Sequence, residues 1–282
     1  MYTTLQEIYA QSSESVRATG LTQELASELY GKYVQFINQS VSQRGRLLDV
    51  GCGSGWSSYL LSQEGYQVVG IDLNAEAFEC PNVPNLTLIP GSAMNLPFED
   101  ASFDVVASHQ AIEHIPEPQK AIMEMIRVLK PGGILCIVGP NLLSIGHLIK
   151  AISIYAWQNR PIKNIFLRSP HMPKHPWGNT LAETLISFPV MLNLIARKLI
   201  DSKATFTMRE PDINPPFHAD NDACYVCNPI DFVKFLPTQN CVVIQNGFYG
   251  RLQWTTLIAS GTFIAARKLI LDRSNDIKVM SN

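Results

Sequence analysis

Short, almost wholly apolar runs alternate with longer stretches whose apolar residues recur at helical spacing through the first half of the chain. The runs are Leu47 to Val50, Gln67 to Ile71, Leu86 to Ile89, Phe103 to Ala107 and Ile134 to Val138. Runs of this length, apolar on both faces, read as buried strands. Between them, Trp56 to Gln63 and Gln119 to Leu129 read as helices. Ahead of the first run, residues 21–41 set Leu25, Leu29, Tyr33, Phe36 and Ile37 at helical spacing, which predicts a long helix able to close over a ligand at the sheet. Strands and helices in alternation imply an α/β fold, a parallel sheet covered by helices on both faces, with ligands at the carboxyl ends of the strands.

After the fifth run the rhythm stops. Residues 141–222 are rich in Pro, His, Trp and apolar helix-like runs, and only then does Pro229 to Leu236 resume as a helix, followed by strand-like Val242 to Gln245 and Phe263 to Arg267. A stretch longer than ~15 residues without the surrounding rhythm carries function or forms its own subdomain. The expected organisation is an N-terminal helical lid (1–43), a ligand-binding core (44–140), an inserted, mostly helical substrate cap (141–222), the C-terminal part of the core (223–271) and a polar tail (272–282).

Chemistry enters at the end of the first strand, where Asp49-Val50-Gly51-Cys52-Gly53-Ser54-Gly55 runs straight into a helix. Alternating glycines allow a ligand to lie against bare main chain at a helix start, although tight turns also collect glycine. The spacing lacks the third-glycine offset of the dinucleotide fingerprint. A carboxylate, Asp72, closes the next strand about twenty residues on, where an acid can take both ribose hydroxyls.

Further motifs follow in order: Gly91-Ser92-Ala93-Met94-Asn95-Leu96-Pro97-Phe98, Ala111-Ile112-Glu113-His114-Ile115-Pro116-Glu117-Pro118, and Leu129-Lys130-Pro131-Gly132-Gly133. With the glycine bend they resemble the class I S-adenosylmethionine-dependent methyltransferases of the small-molecule group, over residues 44–140. The resemblance implies a Rossmann-like, doubly wound, mostly parallel seven-stranded sheet with an antiparallel edge, and S-adenosyl-L-methionine as cofactor. It implies that Asp49, Gly51, Cys52, Gly53 and Gly55 hold the methionine end and ribose side, Asp72 the ribose hydroxyls, Leu73 the adenine face, and Ser92, Ala93 and Met94 the adenine edge. Ser92 departs from the family, which has an acid there, so that contact is expected to be weaker or made by main chain.

Methyl transfer needs alignment and exclusion of water more than a covalent residue. His109, directly after the fourth strand, is a candidate cofactor contact or general base; His218 and Asp220 are further candidates for a base. Gln110, Asn141 and His147 are candidate acceptor contacts, while Glu113 and His114 read as loop anchors. The resemblance thus implies methyl transfer to a small, largely apolar, natural-product-like acceptor. The alternatives are a cyclase-type reaction on the same cofactor fold, or a binding protein without turnover.

Composition adjusts this reading at the margins. Of 282 residues, 46% are apolar and 16% charged, with a net charge of -2. With no basic block, nucleic acid is a poor substrate class. Six cysteines, some in predicted strands or the glycine bend, fit a reducing, cytoplasmic setting. No apolar leader opens the chain, and Leu142 to Trp157 and Leu181 to Ile200 are too interrupted by charge and proline to span a membrane. Leu192 to Ile200, with Arg197 and Lys198, could instead rest on a membrane surface. His171 and His175 with Cys224 and Cys227 have metal-ligand spacing, but prolines around the histidines favour a loop, and no metal is expected. The insertion's aromatics, Tyr155, Trp157, Phe166, Trp177, Phe188, Phe206 and Phe217, read mainly as the cap's own core.

Overall fold

The computed structural model describes residues 21–74, 78–144, 181–209, 223–247 and 261–270. Its centre is a seven-stranded sheet of order β3-β2-β1-β4-β5-β7-β6, formed by β1 (Arg46–Val50), β2 (Gln67–Asp72), β3 (Leu86–Pro90), β4 (Phe103–His109), β5 (Leu129–Pro140), β6 (Cys241–Asn246) and β7 (Gly261–Lys268). The first five strands pair in parallel, whereas β7 runs antiparallel to both β5 and β6. This is the mostly parallel, doubly wound sheet with an antiparallel edge that the family resemblance implies. The order reverses at β1, between β2 and β4, so the strand ends splay apart there and leave a crevice.

Strand β5 is seven residues longer than its apolar run. Phe103 pairs with Leu129 but Val105 with Ile134, so the bulge absorbs Lys130 to Gly133, with Gly132 in the left-handed region at φ +80°. Such a bulge lets a loop-like sequence remain part of the strand.

One face of the sheet is covered by α1 (Gln23–Ser40) and α2 (Trp56–Gln63). Thr22 starts α1, its hydroxyl accepting from the Leu25 N–H at 3.3 Å, a side-chain cap that satisfies an otherwise orphaned donor. The helix buries Ala26, Tyr33, Val34, Phe36 and Ile37 in one cluster with Leu47, Val105 and Cys136 of the sheet. Burying the four large side chains stabilises this contact by on the order of 6–12 kcal/mol, as an upper estimate. Leu25 and Leu29 do not join it: they are 49% and 48% exposed, since the buried arc runs through Ala26 rather than through them.

The other face carries α3 (Pro118–Val128) and α5 (Pro229–Phe235). Ala121, Ile122, Met125, Phe232 and Leu236 pack there against Val106, Leu135 and Ala266. Between these helices in sequence lies α4 (Leu181–Ile200). It covers the whole apolar window from Leu181 to Ile200, continuing through Pro189, which can kink a helix without ending it when the rest is packed. Its Ile195 joins Leu142, Leu143 and Val226 in a small separate cluster.

Candidate functional site

The crevice at the carboxyl ends of β1, β2 and β4 holds a cleft of about 830 Å3, measured out to open solvent. Gly51 and Gly53 form one wall, Asp72 and Leu73 the next, and Ser92, Ala93 and Met94 the third. Gln110, Ala111, His114, Ile115 and Pro116 complete the lining, with Ala111 set against Gly51. Its lining is mostly apolar with a few polar groups, the character of small-ligand sites.

The bend between β1 and α2 demands glycine for two different reasons. Gly51 lies at φ +72°, and a Cβ there would sit 2.4 Å from the Ala111 methyl, so only a bare backbone permits the close approach. Gly53, at φ +55°, has nothing within 4 Å of the position a Cβ would take; the missing side chain leaves main chain open to the cleft. Its N–H donates to Asp72 Oδ2 at 2.8 Å, while Asp72 Oδ1 accepts from the Asn74 N–H at 3.2 Å. The Asp72 carboxylate is therefore fixed in direction at the cleft wall, where it can still accept from a vicinal diol.

Asp49 occupies a different place from the one expected. Its carboxylate is fully buried on the helix side of the bend, Oδ1 accepting from the Tyr33 hydroxyl and Oδ2 from the hydroxyls of Ser57 and Ser58, all at 2.7 Å. Burial raises its pKa, against the lowering effect of those three hydrogen bonds. With both oxygens so engaged, Asp49 braces the bend from behind rather than lining the cleft. Cys52 also points inward, its sulfur 3.0 Å from where a Cβ on Gly70 would stand, and Gly55 packs against Leu88 and Cys80.

The wall at Ser92 is a tight turn. Ser92 Oγ accepts from the Met94 N–H at 3.2 Å, and the Ser92 carbonyl from the Asn95 N–H at 3.1 Å. Behind it, the Arg127 guanidinium of α3 donates to the carbonyls of Leu96 and Phe98 and to the carboxylates of Glu124 and Asp100, while Glu124 accepts from the Leu96 N–H. These bonds hold Glu124 ionised below the usual carboxylate range. Arg127 and Glu124 are positioning residues that the motif does not reveal.

His109 ends β4, with its ring 4.8 Å from that of Tyr33 and 5.4 Å from that of Tyr30. Burial pushes its pKa down to about 4, so the imidazole is neutral at pH 7. Burial and the charge of Asp49 push Tyr30 up to about 12, leaving a neutral hydroxyl. Gln110 follows in the left-handed region at φ +49°, a conformation costing about 1 kcal/mol or more for a non-glycine residue. It stands on the cleft wall, held by its N–H to the Val138 carbonyl at 2.8 Å. The two tyrosines and their contact with His109 went unread in the sequence, where only the helical spacing of Tyr33 was visible.

Asn141 is buried at the end of β5 beside Leu142, whose N–H donates to the Cys227 carbonyl, and it does not appear on the cleft wall. The carbonyl of Glu113 accepts from the N–H groups of Cys224 and Tyr225, tying the loop beneath the cleft to the C-terminal part of the chain. Cys224 and Cys227 are both buried and all six cysteines are free thiols; His171 and His175 lie outside the described residues. So do His147, His218, Asp220 and the aromatics Tyr155, Trp157, Phe166, Trp177 and Phe217. Phe206 packs against Tyr225, Phe232 and Phe235. Lys198 faces inward, not outward: its amine lies 2.7–2.8 Å from both oxygens of Asp231.

Residues 48–137 match a family described as a methyltransferase domain. A demethylmenaquinone methyltransferase of Renibacterium salmoninarum is 40% identical over 90 residues, which is 31% of this chain and 38% of that protein. Norajmaline N-methyltransferase of Rauvolfia serpentina is 32% identical over 123 residues, 39% of this chain and 42% of that one. The match thus spans less than half the length of both relatives. In fold, a Listeria monocytogenes protein assigned to the S-adenosylmethionine-dependent methyltransferases superposes over 85% of this chain and 99% of its own, with a TM-score of 0.52 and 15% identity. Among the described residues no helix is long and apolar enough to cross a membrane.

Proposed function

We propose that the chain is a class I S-adenosylmethionine-dependent methyltransferase, as the match of residues 48–137 to a methyltransferase domain supports, and that it transfers a methyl group from S-adenosyl-L-methionine to a small, largely apolar acceptor. The observation that carries this reading is the open main chain of Gly53 facing a carboxylate, Asp72, already aimed by two N–H groups. That pairing suits a ribose lying against bare backbone. The cofactor, when bound, supplies a methyl on a positively charged sulfur that is ready for in-line displacement.

Each residue then has a definite task. Asp72 accepts from the ribose hydroxyls, Gly51 and Gly53 admit the ligand to the backbone, Leu73 covers a nucleobase face, and the Ser92 to Met94 turn meets its edge. Tyr30 and His109, both uncharged at neutral pH, bound the methionine side without opposing a sulfonium. Gln110 faces the acceptor. For an acceptor that must lose a proton, His109, His218 and Asp220 are the candidate bases, His109 a weak one because burial holds its pKa at about 4. The apolar lining at Ile71, Met94 and Ile115 supports an acceptor of that character.

Calorimetric titration with S-adenosylhomocysteine tests the cofactor assignment. Two charge-assisted hydrogen bonds at about 1.5 kcal/mol each give about 3 kcal/mol, so Asp72→Ala should weaken binding by about 100-fold. Equal affinity in wild type and variant would overturn the reading of the site.

A further inference from the structure

Helix α4 turns an apolar face to solvent. Counted at 100° per residue, Leu199, Leu192, Ala196, Pro189 and Ile200 occupy a continuous arc about 100° wide, all exposed, with Ile200 at 82%. Asn193 and Arg197, also exposed, border it on one side. An apolar stripe of that width normally faces a protein core, but here the core takes the opposite side of the helix.

The orientation is pinned from behind. Lys198 and Asp231 form a buried ion pair, and Ile195 sits among Leu142, Leu143 and Val226. The amine of Lys234 donates to the carbonyls of Lys198 and Asp201, closing the C-terminal end of the helix. Rotating the stripe inward would break all three contacts.

Charge identifies what the stripe meets. From 141 to 209 the chain holds nine Lys and Arg, eight once the buried, paired Lys198 is set aside, against two Asp and Glu, whereas the rest holds thirteen against twenty-two. From 141 to 182 there are five cations and no acid. An apolar helical stripe in a strongly cationic segment, too short of apolar length to span, has the chemistry of a helix lying in the interface of an anionic bilayer.

We infer that the exposed face of α4 docks on a negatively charged lipid surface, with Leu192, Leu199 and Ile200 entering the headgroup boundary. The segment leaves the sheet at the end of β5, on the same edge as the cleft, so an acceptor dissolved in the bilayer would be brought to that edge. This last step rests on the methyl-transfer reading; the docking itself does not.

Co-sedimentation of the full chain with phosphatidylcholine vesicles, with and without phosphatidylglycerol, tests it. The wild-type protein should pellet with the anionic vesicles and release partly in high salt. The triple variant Leu192→Glu, Leu199→Glu, Ile200→Glu should lose at least tenfold in vesicle affinity while binding S-adenosylhomocysteine as wild type does. Leu25→Glu with Leu29→Glu, on a different exposed apolar face, should leave vesicle binding unchanged. Wild-type protein that stays in the supernatant, or a triple variant that pellets equally, overturns the inference. So does a vesicle-free dimer that the triple variant dissociates, because the stripe would then belong to a second copy. Failure of S-adenosylhomocysteine binding alone would sink the methyl-transfer reading and leave the docking standing.

Discussion

The ion pair between Lys198 and Asp231 offers a quantitative test of how α4 is held. Both side chains are about 1% exposed, and the carboxylate also accepts from the Tyr225 hydroxyl, the Asn228 amide and the Thr205 N–H. Breaking a buried pair by deleting one partner typically costs about 3–5 kcal/mol, because the other charge is left uncompensated. Lys198→Met keeps the aliphatic stem and leaves the carboxylate its three neutral donors, so it should fall at the low end, about 3 kcal/mol. Asp231→Leu leaves the ammonium only the Thr205 carbonyl and hydroxyl, at 3.2 and 3.3 Å, and strips three donors of their acceptor. It should cost about 5 kcal/mol. The double variant removes both charges and retains only the cost of the orphaned donors, about 3 kcal/mol at ~1 kcal/mol each. Urea denaturation followed by circular dichroism, with the m-value checked for constancy, measures all three. A double variant as destabilised as the two singles summed would show that the charges do not compensate one another, and the reasoning would fail.

Three further outcomes follow from the cleft. Tyr33→Phe removes one of the three hydroxyls on buried Asp49 and should destabilise the protein by about 1–3 kcal/mol; a thermal melt unchanged within 1 °C would refute the brace. His109 has a folded pKa of about 4, below the unfolded value near 6.5. Its neutral burial therefore contributes stability above pH 6.5 that is lost as pH falls toward 4, at most about 3 kcal/mol; His109→Phe should flatten that acid limb in melts between pH 7.5 and pH 4.5, and parallel curves would contradict it. Ser92→Asp should tighten S-adenosylhomocysteine about tenfold in calorimetry by supplying a charged acceptor at the nucleobase edge, and a weaker complex would mean that the Ser92 turn faces elsewhere.

What the chain discloses locally differs from what only the fold supplies. The five parallel strands were legible because each contains a short apolar run, buried on both faces in all but the edge strand β3, and the glycine bend because backbone conformation is written in single residues. Asp72 could be placed because it ends a strand next to that bend. Asp49, one strand earlier, looked equally fit to meet a ligand; an acid at a strand end does not reveal which face it points to, and here Tyr33, Ser57 and Ser58 take it. Leu25 and Leu29 share the spacing of Tyr33, yet helical periodicity does not mark where the buried arc ends. Lys198 reads as a solvated cation until Asp231, thirty-three residues on, is seen beside it.

Tyr33 joins α1 to the ligand bend twice, its hydroxyl to Asp49 of β1 and its ring to His109 at the end of β4. A shortened protein beginning at Arg46 would keep every signature residue, yet the buried Asp49 would lose one of its three hydroxyl donors and the imidazole beside it would be uncovered. The smallest piece able to hold a nucleoside therefore begins upstream of the stretch by which its relatives are recognised.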